Sequence, residues 1–218
     1  IDQLYKSLKT GAISGSNILA KLELLYVLFA DDSQKALLNW ASSSNNLTVV
    51  GSCTFNAWSG YTFGGTTNDY LGSGINWNAL TKFLQNDASL GIWTSQALGT
   101  GAPGIGKVSA GGGADIIAVG STTILVRANS SGGANQADTP ADTLWTGVRA
   151  SSASQVYYRG AAAKATTVEA SAAREASNLA IGQAGNTTHR FAFAGAALTA
   201  NEVADVYFAL NAFRQSLP

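Results

Sequence analysis

Thr143-Leu144-Trp145-Thr146-Gly147-Val148-Arg149 is followed, five residues on, by Gln155-Val156-Tyr157-Tyr158-Arg159 and then by Gly160. Both runs are short, rich in Val, Thr and aromatic residues, and bounded by turn-forming clusters. That texture belongs to β-strands. It recurs from residue 46 onward. Further strands are expected at Leu47–Val50, Ser52–Ala57, Tyr70–Ser73, Ala88–Thr94, Asp115–Val119, Thr122–Ala128, Leu179–Gln183 and Arg190–Ala194. Ser59-Gly60, Gly64-Gly65, Gly99–Gly106, Gly111–Gly113 and Ser130–Ala134 separate them as turns. No helix-length periodic segment interrupts the series, which argues against βαβ units. The expected fold is all-β, a two-sheet antiparallel jelly-roll sandwich.

The flanks read differently. Asn17 is placed to cap a short helix carrying Ile18, Leu19 and Leu22. Asp31 and Gln34 have capping-box spacing ahead of Ala36-Leu37-Leu38, which predicts two helical turns ending near Asn39-Trp40. Leu24 to Phe29 is too continuously apolar for its period to assign. At the other end, Thr199 and Glu202 form a second capping box. Val203, Val206, Tyr207, Leu210 and Phe213 follow at helical spacing, predicting an amphipathic helix of about 15 residues. The organisation expected is a helical lead-in over 1–45, the sandwich over 46–198 and a terminal helix over 199–218 of the same domain.

The chain has 218 residues, with 13 basic and 13 acidic side chains in balance. That balance leaves no electrostatic footprint for nucleic acid or anionic lipid. Charged residues make up 12% of the sequence, half the usual share, while Ser and Thr fill 41 positions and Gly 24. The surface should be neutral and rich in hydroxyls. The longest apolar run, Leu24 to Ala30, is far short of the ~20 residues of a membrane helix, so no membrane insertion is expected. A single cysteine, Cys53, rules out an intrachain disulfide and a cysteine-rich zinc site, and it reads as a small buried hydrophobe. The start at Ile1, with no Met anywhere, suggests a processed chain or a fragment. No signal-peptide pattern is present.

Catalytic motifs fail on context. Gly99 to Gly104 matches G-x-G-x-x-G, and Gly101 to Lys107 matches most of a Walker loop. However, Val108 stands where a hydroxyl should reach magnesium, and Ser109-Ala110-Gly111-Gly112-Gly113 cannot form the helix that would hold phosphate. The only histidine, His189, begins an expected strand, and no serine has glycine at both −2 and +2. Glu23, Glu169, Glu175 and Glu202 do not pair at the two- or four-residue spacing that puts two acids on one strand face, as glycosidases need. Asp138 and Asp142 fall in a loop, where they suit either solvation or a cation. No cofactor follows from any motif. The sequons at Asn46, Asn129 and Asn186 are no more than this composition produces by chance.

Five tryptophans remain as candidates for ligand contact, because flat sugar faces stack on aromatic rings while Asn and Asp take the hydroxyls. Trp93 and Trp40 read as core. Trp58 and Trp77 lie beside Gly/Asn-rich turns, and Trp145 follows an Asp-containing loop. Core packing and surface stacking are both open for these three. The candidate ligand contacts are Trp58, Trp77, Trp145, Asn129 and Asp142.

A set of stretches resembles the concanavalin A-like (laminin G-type) jelly-roll modules of bacteriophage and prophage structural proteins. They are Leu22-Glu-Leu-Leu-Tyr-Val-Leu-Phe-Ala30 with Asp31-Asp32, Leu37-Leu38-Asn39-Trp40, Val50-Gly-Ser-Cys-Thr-Phe55 with Gly60-Tyr61, and Tyr70-Leu71. Then come Asn86-Asp-Ala-Ser-Leu-Gly-Ile-Trp93, Val156-Tyr-Tyr-Arg-Gly160, Ile181-Gly182, Phe191-Ala-Phe-Ala-Gly195 and Leu198-Thr-Ala-Asn-Glu202. Their shared order spans nearly the whole chain. The resemblance implies a jelly roll and a virion component (fibre, spike or decoration) at the particle surface. Its implied partners are host-surface or environmental polysaccharide and other virion proteins, with a homotrimer by analogy to fibres. The Glu-x-Asp-x-x-Glu signature of glycosidase relatives is absent, so the expected function is non-enzymatic glycan binding. A purely structural domain and a polysaccharide-degrading enzyme are the alternatives.

Overall fold

The computed structural model describes residues 2–66, 68–95, 103–107, 116–119, 123–130, 134–138, 141–183 and 187–217. Gly99–Gly101, Gly111–Gly113, Asp115, Thr122 and Asn186 from the reading above lie outside these. The chain opens with helix α1 (Asp2–Thr10), a 3-10 turn (Ile18–Ala20) and strand β1 (Leu22–Val27), then a single helical turn α2 (Ser33–Ala36). Strands β2 (Thr48–Val50), β3 (Cys53–Asn56), β4 (Gly60–Phe63), β5 (Tyr70–Asn76) and β6 (Ala88–Thr94) follow. Next come β7 (Pro103–Lys107), β8 (Ile116–Val119), β9 (Thr123–Arg127), β10 (Ala134–Ala137) and β11 (Thr143–Arg149). The chain ends with β12 (Ser154–Arg159), β13 (Ala162–Val168), β14 (Asn178–Ile181), β15 (Thr188–Gly195) and helix α3 (Ala200–Gln215).

These strands form two antiparallel sheets. One runs β13-β12-β11-β6-β15-β4-β3, and the other β10-β9-β8-β7-β14-β5-β2. The free edge of β15 is shared. Thr188 and His189 pair with β4, and Phe191 to Gly195 pair with β1. The architecture is a jelly-roll sandwich, as expected from the strand texture.

The first sheet is covered on both faces. Leu90, Ile92 and Trp145 point between the sheets with Leu24, Tyr26 and Ile117. Trp93, Leu144, Phe191 and Phe193 point the other way, with Leu25 and Val27, onto Leu4, Leu8, Val203 and Leu210 of the two helices. Consequently every residue of β6 and β11 is buried. A strand buried on both faces loses the polar alternation that marks a half-buried one. That is why Leu24 to Phe29 has no readable period, and why the lead-in contains strand β1 rather than helices alone.

Other departures have local causes. From Pro103 on, the glycine-rich stretch read as a turn through Gly106 is strand β7, whose Ile105 pairs with Ile181. The two turns expected after Asp31 shrink to one. Asp32 is the cap, with its Oδ1 accepting from the amides of Gln34 (2.7 Å) and Lys35 (3.2 Å). Asn39 is drawn instead onto the edge of β1, opposite Tyr26, and that tertiary pairing overrides helix propagation. The terminal capping box forms as read, with Thr199 Oγ1 on the Glu202 amide and the Glu202 carboxylate on the Thr199 amide. Glu202 also takes the Lys21 ammonium at 2.8 Å, and Asp205 accepts from the amides of Ile13 and Ser14. These buried acids fasten α3 to the start of the chain.

An aromatic groove shared by two depressions

The β3–β4 hairpin turns over Ala57-Trp58-Ser59, and Asn56 pairs with Gly60 across it. Trp58 holds φ at +59°, the left-handed region, where a bulky residue is rare and costs about 1–2 kcal/mol. Its amide donates to Ala30 O at 2.9 Å, tying the hairpin tip to the segment after β1. Gly60 follows at φ +116°, with the His189 carbonyl where a Cβ would stand, so the turn is fixed on both sides. The outcome is an indole held 38% exposed. Strain retained around an exposed aromatic is characteristic of binding sites.

Trp58 lines a cleft of about 180 Å³ together with Val27, Ala30 and Trp40, closed by Phe213 and Leu217 from the end of α3. Asp31 and Lys35 supply its polar edge, and their ion pair is 2.8 Å long. Trp40 is half-buried and is also a wall of a second depression of about 310 Å³. Tyr5 and Lys9 of α1 line that one with Asn17, Leu19 and Ser42. The two depressions share the Trp40 side chain, and the larger of them reaches the size range of small-ligand sites, about 300–1,000 Å³.

Asn39 positions Trp40. Its buried side chain accepts from the amides of Leu25 (2.9 Å) and Ala41 (3.1 Å). Its two Nδ2 hydrogens are shared among Glu23 O, Ser42 Oγ and Ser44 O, each at 3.0 Å from the nitrogen. The Trp40 amide adds a bond to Leu25 O. The Trp40 indole nitrogen is buried and has no acceptor among the described residues, an uncommon state for such a donor.

Of the five candidate ligand contacts, only Trp58 lies in this groove. Trp77 is fully buried, with its indole donating to Gly106 O at 3.3 Å and its ring against Phe83. Trp145 is fully buried, stacked on Tyr157 and covered by Arg159. Asn129 is fully buried and bonds Leu84 O. These three are core residues, a correction to their reading as ligand contacts. Asp142 is partly exposed, but its oxygens accept from the Trp93 indole (2.7 Å) and Arg214 (3.0 Å), with Arg190 at 3.5 Å. Arg214 in turn covers Trp93, which stacks on Tyr207. Asp142 therefore pins α3 to the sheet. Asp142→Ala is expected to cost about 2 kcal/mol by leaving that indole donor unpaired, a fall of several degrees in Tm by thermal denaturation.

Several other titratable groups are committed to structure. Asp138 accepts from Tyr157 and Arg159, and Glu23 takes the amides of Thr81 and Lys82. His189 is wholly buried within β15 rather than at a strand edge, packed against Phe63. Cys53 is half-buried; burial, with Asp69 nearby, pushes its thiol up to about 11. Among the described residues, no three His, Cys, Asp or Glu side chains converge to hold a metal ion.

No protein-family model matches the sequence, and no curated protein sequence matches it. Solved structures do match in fold. The binding domain of botulinum neurotoxin DC, in complex with rat synaptotagmin II, superposes with a TM-score of 0.62 at 11% identity, over 88% of this chain and 52% of that one. Domain 4 of AbnA, a GH43 extracellular arabinanase from Geobacillus stearothermophilus in complex with arabinotriose, gives 0.60 at 12% identity, over 86% and 98%. The ligand binding domain of botulinum neurotoxin serotype D, in complex with N-acetylneuraminic acid, gives 0.57 at 10% identity, over 87% and 51%. The chain spans about half the length of the toxin domains and nearly all of the arabinanase domain. At such identities the likeness is one of fold, the jelly-roll β-sandwich.

Proposed function

We propose that this chain is a non-catalytic glycan-binding module and that its ligand lies in the groove of Trp58, Trp40 and Tyr5. The observation that carries the reading is Trp58, a tryptophan held out to solvent in a strained backbone conformation over an apolar cleft. Sugar rings present apolar faces that stack on such indoles, while amide, hydroxyl and ammonium groups at the edges take their hydroxyls. Two of the structural neighbours were solved with bound sugars, which agrees with this use of the fold. A binding role without catalysis is supported by the committed carboxylates described above.

The finer setting proposed is the surface of a phage or prophage particle, with host or environmental polysaccharide as partner, other virion proteins as neighbours and a homotrimer by analogy to fibres. Its support is the ordered series of motifs from Leu22 to Glu202. A hydroxyl-rich surface with few charges suits a particle that must avoid nonspecific adsorption. The alternative of a purely structural module draws on Ile13 and Phe208, apolar side chains half-exposed at the α1/α3 face.

The test is retention on a panel of immobilised polysaccharides, scored together with release of sugar fragments. Retention without fragments is expected. Trp58→Ala should weaken it at least tenfold while the circular dichroism spectrum is kept. Released fragments would overturn the non-catalytic reading. Absence of retention across the panel would favour the structural one.

A further inference from the structure

The two depressions differ in charge. In the Trp58 cleft, Lys35 is neutralised by Asp31 at 2.8 Å. In the Tyr5 depression no acidic residue lines the wall, and among the described residues no carboxylate oxygen lies within 4 Å of the Lys9 ammonium. The Asn17 side-chain oxygen accepts the Ala20 amide, so the donors left for a ligand are its Nδ2 hydrogens, which have no acceptor among the described residues. Tyr5 adds a phenol, half-exposed and unbonded. Ser42 Oγ is already held by Asn39 and Ser44. The depression thus presents an ammonium, an amide NH₂ and a hydroxyl beside the apolar side chains of Leu19 and Trp40.

A donor-rich, carboxylate-free wall with one uncompensated cation fits a ligand that is itself an anion on an apolar ring. We infer that the Tyr5 depression takes a sugar bearing a carboxylate, oriented toward Lys9, while the Trp58 cleft takes the adjoining neutral sugar. This rests on the glycan-binding reading and narrows its ligand to acidic polysaccharides. Trp40, common to both walls, sits at the linkage between the two sugars.

The test compares a uronic-acid-containing oligosaccharide with its carboxyl-reduced counterpart, by calorimetric titration of the whole chain at low and moderate salt. The acidic form should bind about five- to tenfold tighter, and the advantage should shrink as salt screens the pair. Lys9→Gln should bring the ratio of the two affinities to near one. Trp58→Ala should weaken both forms and preserve the ratio. Lys164→Gln, an exposed substitution on β13 far along the chain, should change neither. Equal affinities for the two forms in the unaltered protein, or a preference that survives Lys9→Gln, would overturn the inference while leaving glycan binding intact. Failure of both forms to bind would overturn the glycan-binding reading itself.

Discussion

Asn39→Ala is expected to lower stability by about 4 kcal/mol and to disorganise both depressions at once. The side chain is 5% exposed; its oxygen accepts two hydrogen bonds, and its two Nδ2 hydrogens serve three acceptors at 3.0 Å. Truncation strands the buried Leu25 amide on β1 and releases the turn that carries Ala41, Ser42 and Ser44. Each buried polar group left unpaired costs about 1–3 kcal/mol. For a domain of this size the fall in Tm should be roughly 10 °C, read by thermal denaturation. Binding should fall with it, because Trp40 is the wall shared by both depressions. A Tm within about 2 °C of the unaltered protein would show that Asn39 is not the fastening described here.

Acid should destabilise this protein between pH 7 and 5, and His189 should be the cause. The ring is fully buried, and neither nitrogen has a hydrogen-bond partner among the described residues. Burial pulls its pKa down to about 3, from an ordinary value of 6.5. The folded state therefore keeps the ring neutral where the unfolded chain accepts a proton. Stability is fully present above pH 6.5 and falls as pH drops toward 3, by about 1.4 kcal/mol per unit. From pH 7 to 5 the loss is about 2 kcal/mol. Glu202 and Asp205 act in a lower window. Burial raises both, but Lys21 and Thr199 on Glu202, and Ser14 and Ile13 on Asp205, outweigh it and hold them below the usual carboxylate range. Their contribution is present above the unfolded carboxylate values near 4 and is lost only as pH falls through the depressed ones. Urea denaturation across pH 5–7 separates the two. His189→Leu should flatten the profile over that range and raise stability at pH 5. An unchanged slope in the variant would place the acid sensitivity elsewhere.

How much was legible depended on what each segment buries. β6 and β11 were read to the residue, because Val, Ile, Thr and Trp runs end at clear turns. α3 was read from its capping box, a local device that needs no tertiary information. β1 was not, because Leu22–Val27 is covered on both faces and its period disappears. β13 was missed for the opposite reason. Ala162 to Val168 is an exposed edge strand of Ala, Thr and Lys, with almost no apolar signal to read. In the groove, Trp58 could be singled out from Ser59-Gly60 beside it. Trp40 reads as core because the Asp31–Gln34 spacing suggests a longer helix, and what ends that helix is the pairing of Asn39 with Tyr26 of β1, thirteen residues back in sequence. Tyr5 and Lys9 carried no ligand signal: Leu4 and Leu8 mark the buried face of α1 at i,i+4 spacing, and that pattern says nothing of a depression beside its polar face. Trp77 and Trp145 lay near turns but point into the sandwich, and proximity to a turn does not fix which face of a strand a side chain occupies.

The five indole N–H groups allow the central claim to be examined in one titration. Nuclear magnetic resonance of the ¹⁵N-labelled protein, with a polysaccharide fragment that it retains, should shift the Trp58 and Trp40 indole signals. Those of Trp77, Trp93 and Trp145, buried at 0–1% exposure, should stay in place. Binding that leaves Trp58 and Trp40 unmoved, or that moves only other surfaces of the sandwich, would contradict the groove as the ligand site.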